Sequence, residues 1–254
     1  MPSHNPTSTR EKYGVEAVDR MSPMEIQHAV KKCDMLISGG GSLLQDVTSS
    51  KSLHYYLSII RCAEFFHQKV FIYSQGIGPI DRPGNRRAAA AALKRADGIV
   101  VRDERSAALL EEIGIARDKV VITADPVIRM KKPDGDVGAE ILRKAGVSLD
   151  GRLTVGWAIR ERDTDRRFVK ELLRSIQMMK DKYNAQSVLI PFHYEEDGEV
   201  CRHIAAQLPN DTAVCLNEKY LSEDMLSIIG NMDLLVGVRL HSLIYAAIMG
   251  VPLI

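Results

Sequence analysis

The chain has 254 residues, 45% of them hydrophobic, which is room for one large α/β domain or two smaller ones with a sizeable core. Its formal net charge of +1 gives no bulk electrostatic case for nucleic acid or for an acidic membrane surface. No apolar run is long enough to read as a membrane span, and the start Met1-Pro2-Ser3-His4 lacks the pattern of a signal peptide. Cys33, Cys62, Cys201 and Cys215 are scattered without CxxC, which fits a reducing cytoplasm better than a disulfide framework or a zinc site.

Residues 1–12 are polar and read as irregular. Uninterrupted apolar runs at 33–38, 70–73, 98–101 and 120–122 predict buried strands spaced as βαβ units. Between them, the Ala-rich 86–95 and the stretch 104–112, with Gly114 behind it, predict helices. Residues 129–136 are polar with Pro133 and Gly135 and read as a linker, giving an N-terminal domain over 1–130 and a C-terminal domain over 137–254. The alternation then restarts. Strands are predicted at 153–157, 187–191 and 234–238, and helices at 166–182, 199–208, 223–230 and 242–249. Ser222 is placed as an N-cap and Gly250 just past a helix end. Two successive doubly wound, Rossmann-like parallel-sheet domains are the expected fold. The apolar ending Val251-Pro252-Leu253-Ile254 reads as a strand entering a core, so both ends read as truncated.

In open α/β sheets ligands bind at the carboxyl ends of strands, and five such places hold chemistry. Ser38-Gly39-Gly40-Gly41-Ser42, with Asp46 beyond it, offers backbone N–H groups, a hydroxyl and a carboxylate, although it could also be a tight turn. It is neither GxGxxG nor a P-loop. Ser74-Gln75-Gly76-Ile77-Gly78-Pro79 supplies an amide in a glycine-cleared loop. Arg102-Asp103 pairs a possible anion ligand with a helix cap, and Asp125 lies at the next strand end. Arg160 and His193 follow two strands of the second domain. Arg239-Leu240-His241-Ser242 joins a buried strand to an Ala-rich helix; in extended geometry Arg239 and His241 share a face beside the helix N-terminus, a ready anion site with a titratable group. Asp163 and Asp165 form a DxD pair, but in a charged loop remote in sequence from the glycine run, so no metal is expected.

The ordered set LISGGGSLLQDVTS, SQGIGP, VRDERSAALLEEIG, ADPV and GVRLHSLIYAAIMGVP resembles polysaccharide pyruvyl transferases, in particular the bacterial cell-wall-anchoring branch. The resemblance implies a GT-B-like fold with the active site in the cleft between the domains. It also implies a cytoplasmic enzyme of cell-wall polysaccharide biosynthesis that moves a pyruvyl group from phosphoenolpyruvate to a sugar or lipid-linked saccharide, without cofactor or metal. Peripheral membrane contact would come only through the acceptor. Arg239 and His241 are then the catalytic pair and bind the donor with Ser242, Arg160 and Arg102. Gly40, Gly41, Ser42, Asp46 and Gln75 are placed against the acceptor. A GT-B glycosyltransferase using a nucleotide sugar, or a non-catalytic sugar-binding remnant, would share this architecture.

Overall fold

The structure is a computed structural model and describes residues 1–160 and 165–254. The chain divides into two compact units, Met1–Pro126 and Val127–Ile254.

The first unit opens with a short parallel pair, β1 (Pro2–Ser3) and β2 (Val18–Asp19), joined through helix α1 (Pro6–Tyr13). That helix corrects the irregular start expected from polarity. Pro6 stands at its first position, and the Asn5 side chain accepts the Ser8 N–H at 3.1 Å, so local capping forms a helix that buries nothing. Helix α2 (Pro23–Lys32) leads into the sheet proper: β3 (Met35–Gly39), α3 (Ser50–Phe65), β4 (Lys69–Gln75), α4 (Pro83–Leu93), β5 (Gly98–Val101), α5 (Glu104–Glu112) and β6 (Val120–Ile122). The strands are all parallel in the order β3-β4-β5-β6. Each crossover steps the same way, and right-handed crossovers then gather their helices on one face. Leu53, Leu57 and Ile60 of α3, Leu93 of α4 and Leu110 of α5 accordingly share one core with Val70, Ile72, Ile99 and Val101. The alternate side chains Met35, Ile37, Tyr73 and Val121 point to the other face and remain exposed.

The second unit runs α6 (Val137–Lys144), β7 (Thr154–Ala158), α7 (Arg166–Tyr183), β8 (Gln186–Leu189), α8 (Tyr194–Ala205), β9 (Ala213–Cys215), α9 (Ser222–Gly230), β10 (Leu234–Gly237) and α10 (Leu240–Met249). Its parallel order is β10-β7-β8-β9. Leu253 bridges to Leu235, so the last residues add to the β10 edge. Because the order reverses at β7, helices cover both faces. One core joins Trp157, Leu172, Ile176, Cys201 and Ile204; the other joins Leu142, Val188, Leu226, Ile229 and Tyr245. All five residues of β7 are buried.

Two boundaries differ from the sequence reading in ways that matter below. Helix α8 begins at Tyr194 rather than 199, with Glu195, Glu196 and Asp197 in its first turn, where the helix dipole favours acids. Helix α10 begins at Leu240, with Arg239 rather than a later residue at its N-cap.

Candidate functional site

In the first unit the strand-end loops are tied to one another. Gly40 and Gly41 have φ of +82° and +61° with open space where a Cβ would stand, so glycine serves the turn itself rather than close approach. Ser42 accepts a hydrogen bond from Arg102 Nη2 at 2.8 Å, and Arg102 Nη1 donates to Asp125 Oδ2 at 2.8 Å. The guanidinium lies against the Gly76 backbone, where any Cβ would come within 2.6 Å of Nη2. Arg102 therefore clips three strand ends together. A cavity of about 410 Å³ opens beside it, lined by Ser42, Gly76, Arg86, Arg105 and Ser106 among others.

Two residues expected at the acceptor are occupied elsewhere. Gln75 is fully buried, and its amide donates to the Ser38 carbonyl at 2.7 Å and to Ser38 Oγ at 2.9 Å. Its Oε1 has no partner among the described residues. Asp46, 7% exposed, accepts the N–H groups of Asp81 and Arg82 and the Asn85 amide at 3.0, 3.1 and 2.8 Å. Asp46 holds a loop in place with its carboxylate, and Gln75 does so through its amide N–H groups. Ser74, just before Gln75, has φ +46° at an irregularity in the β4 ladder, so the strand bends where its loop begins. Asp103 accepts the Ser106 N–H at 2.8 Å, which is its N-cap role.

In the second unit the strand order reverses between β7 and β10. Ala158 and Gly237 are paired neighbours at the ends of β7 and β10, and Val238 N–H donates to the Ala158 carbonyl at 3.1 Å. From this point the two chains part, one toward Arg160 and the other into Arg239 and α10. A crevice at such a reversal is where open α/β sheets bind ligands. The expected extended Arg239–His241 face does not form, because the backbone turns helical at Leu240 and puts His241 inside the first turn of α10. Ser242, expected against the donor, is fully buried; its Oγ donates to the Arg239 carbonyl at 2.7 Å and fixes the turn.

The Arg239 guanidinium is gripped by α8. Nε donates to Asp197 Oδ2 at 2.9 Å, and Nη2 donates to Asp197 Oδ1 at 2.7 Å and to Glu196 Oε2 at 3.1 Å. Desolvation pulls the Arg239 pKa down, but the two carboxylates more than reverse it and raise it further. The Asp197 side chain is fully buried and also accepts the His193 N–H at 2.9 Å, so one carboxylate ties the end of β8 to the end of β10. Sequence reasoning missed Glu196 and Asp197. The signal available was an acidic triplet, Glu195-Glu196-Asp197, a few residues past a strand end.

Asp163 lies outside the described residues. Asp165 is a helix cap, accepting the Phe168 N–H at 2.7 Å. Among the described residues no group of three or more His, Cys, Asp or Glu could hold a metal ion, and no helix is long and apolar enough to cross a membrane.

A family model described as polysaccharide pyruvyl transferase matches residues 1–254. A search of curated proteins gives no significant match. Several solved structures share the architecture. Anabaena HepE, crystallised with UDP-glucose, is 12% identical, with 97% of this chain and 68% of that one aligned at a TM-score of 0.63. A UDP-GlcNAc 2-epimerase from Methanocaldococcus jannaschii is 13% identical over 94% of this chain and 68% of its own, with a TM-score of 0.65. A glycosyltransferase from Rickettsia africae is 11% identical over 97% and 67%, at 0.62. At these identities the likeness is one of fold: parallel-sheet α/β units of the GT-B type.

Proposed function

This chain belongs to the polysaccharide pyruvyl transferase family, a family of polysaccharide-modifying transferases, and from that membership we propose that it transfers a pyruvyl group from phosphoenolpyruvate to a sugar of a cell-surface polysaccharide or its lipid-linked precursor, in the cytoplasm. The observation that supports the reading is that Arg160 follows β7 and Arg239 and His241 follow β10, on loops that leave two paired strands where the strand order reverses. Phosphoenolpyruvate has a carboxylate and a phosphate close together and needs more than one cationic anchor. Arg239 and Arg160 supply charge, and the N-terminus of α10 adds backbone dipoles.

In the reaction, a proton adds to the enol methylene carbon and one sugar hydroxyl attacks the adjacent carbon. A second hydroxyl then displaces phosphate and closes the ketal. Of the two hydroxyl protons, one ends on the new methyl group and the other leaves with phosphate. His241 is the proposed acid or base, since histidine exchanges protons near neutrality. Ser242 and Asp46 act as positioning residues, as does Gln75; Arg102 orders the first-unit loops that carry Gly40, Gly41 and Ser42, the proposed acceptor face.

The test follows phosphate release from phosphoenolpyruvate with lipid-linked aminosugar acceptors. Turnover is expected to survive EDTA, and His241→Gln to lower kcat by roughly 10²–10⁴ with donor binding largely kept. Competitive inhibition by UDP or GDP, or loss of turnover on chelation with recovery in Mg²⁺, would instead point to a nucleotide-sugar glycosyltransferase.

A further inference from the structure

We propose that Glu196 is a stand-in anion on Arg239, displaced by the carboxylate of incoming phosphoenolpyruvate, while Asp197 stays as the fixed partner. The inference rests on the donor reading above.

The two carboxylates are adjacent in sequence but unequal in attachment. Asp197 is fully buried, grips Arg239 through two hydrogen bonds and is itself held by the His193 N–H. Removing it would leave a guanidinium without its buried counter-charge, which is strongly unfavourable. Glu196 is 59% exposed and meets Arg239 through a single bond at 3.1 Å; its other oxygen stands 3.7 Å from His193 Nδ1. An exposed contact of that kind costs little to break. Charge balance agrees. Arg239 already meets two carboxylates, so a third anion at the same guanidinium competes with the more weakly held of them. The ligand's carboxylate has the same chemistry as Glu196, and exchanging one for the other keeps the Arg239 pairing intact.

The plainer account is that Glu196 only complements the α8 dipole. Under that account its removal leaves donor affinity unchanged. The exchange account makes neighbouring carboxylates act in opposite directions, which a structural role does not.

Calorimetric titration of phosphoenolpyruvate into the wild-type protein, Glu196→Gln, Asp197→Asn and Arg239→Ala separates them. Glu196→Gln is expected to tighten binding roughly two- to fivefold, the scale of an exposed ion pair. Its KM should fall with kcat unchanged, and the gap should narrow as salt screens the repulsion. Asp197→Asn and Arg239→Ala should each weaken binding about tenfold or more. Glu196 is exposed, so its glutamine variant decides the matter even if Asp197→Asn fails to fold. If the wild type binds, Arg239→Ala loses binding and Glu196→Gln is unchanged or weaker, the exchange is refuted while the donor site stands. If Arg239→Ala binds as well as wild type, or wild type does not bind, the donor reading fails and the exchange fails with it.

Discussion

Asp46 lies beneath the loop that follows β4, where three donors converge on its carboxylate. Burial pushes its pKa up, but the Asn85 amide, the Asp81 and Arg82 N–H groups and the Arg82 charge outweigh that and hold it below its usual range. A carboxyl depressed in the folded state stabilises fully above its unfolded pKa of about 4, and loses that contribution as pH falls through the folded value. Asp46→Asn should therefore cost on the order of 2 kcal/mol at pH 7, the worth of hydrogen bonds to a charged group. The cost should shrink as pH falls below about 4, where the carboxyl of the unfolded chain takes up its proton before the folded one does; urea unfolding at pH 7 and in acid measures both. Arg239 gives the companion case at the site. Arg239→Lys should recover little donor binding, since a point charge replaces neither the fork on Asp197 nor the contact beyond it.

At the scale of elements, α5 and the first-unit sheet yield separate tests. Asp103 caps α5 through the Ser106 N–H and also accepts Ser106 Oγ–H at 2.8 Å, while Ser106 Oγ accepts the Ile77 N–H at 2.8 Å. Asp103→Ala should cost about 1 kcal/mol or somewhat more and lower the Tm, because it frees the helix start and the SQGIGP loop together. The exposed sheet face predicts the reverse behaviour. Ile37→Lys and Val121→Lys replace side chains 62% and 56% exposed, so each should change stability by less than about 0.5 kcal/mol. The same variants should reduce binding of a hydrophobic dye, whereas Ile72→Lys, inside the core, should unfold the unit. Strand and helix types were legible from apolar runs and Ala-rich stretches. The early start of α8 was not, because Glu195-Glu196-Asp197-Gly198 has loop-like composition and becomes helical through its dipole complement and the burial of Asp197.

At the scale of the whole molecule, each unit has its own apolar core. The second unit, covered on both sheet faces, should fold when residues 127–254 are expressed alone. A single cooperative calorimetric transition with retained helical signal is the expected result, and a broad non-cooperative one would show that it depends on the rest of the chain.

The sequence by itself determined the alternation of strands and helices, the strand-end loops that carry reactive groups, and, through its ordered motifs, the family. These are local or linear signals: apolar runs, capping residues and motif order survive in one dimension. Only the tertiary structure decided the order β10-β7-β8-β9, which sets the loops of Arg160 and Arg239 at the ends of neighbouring strands. It also decided that Arg239 is clamped by Asp197, 42 residues away in the chain, and that Asp46 and Gln75 look inward. Pairing and burial of that kind depend on which distant segments pack together, and charge type alone does not specify whether a guanidinium will meet a ligand or a neighbouring carboxylate.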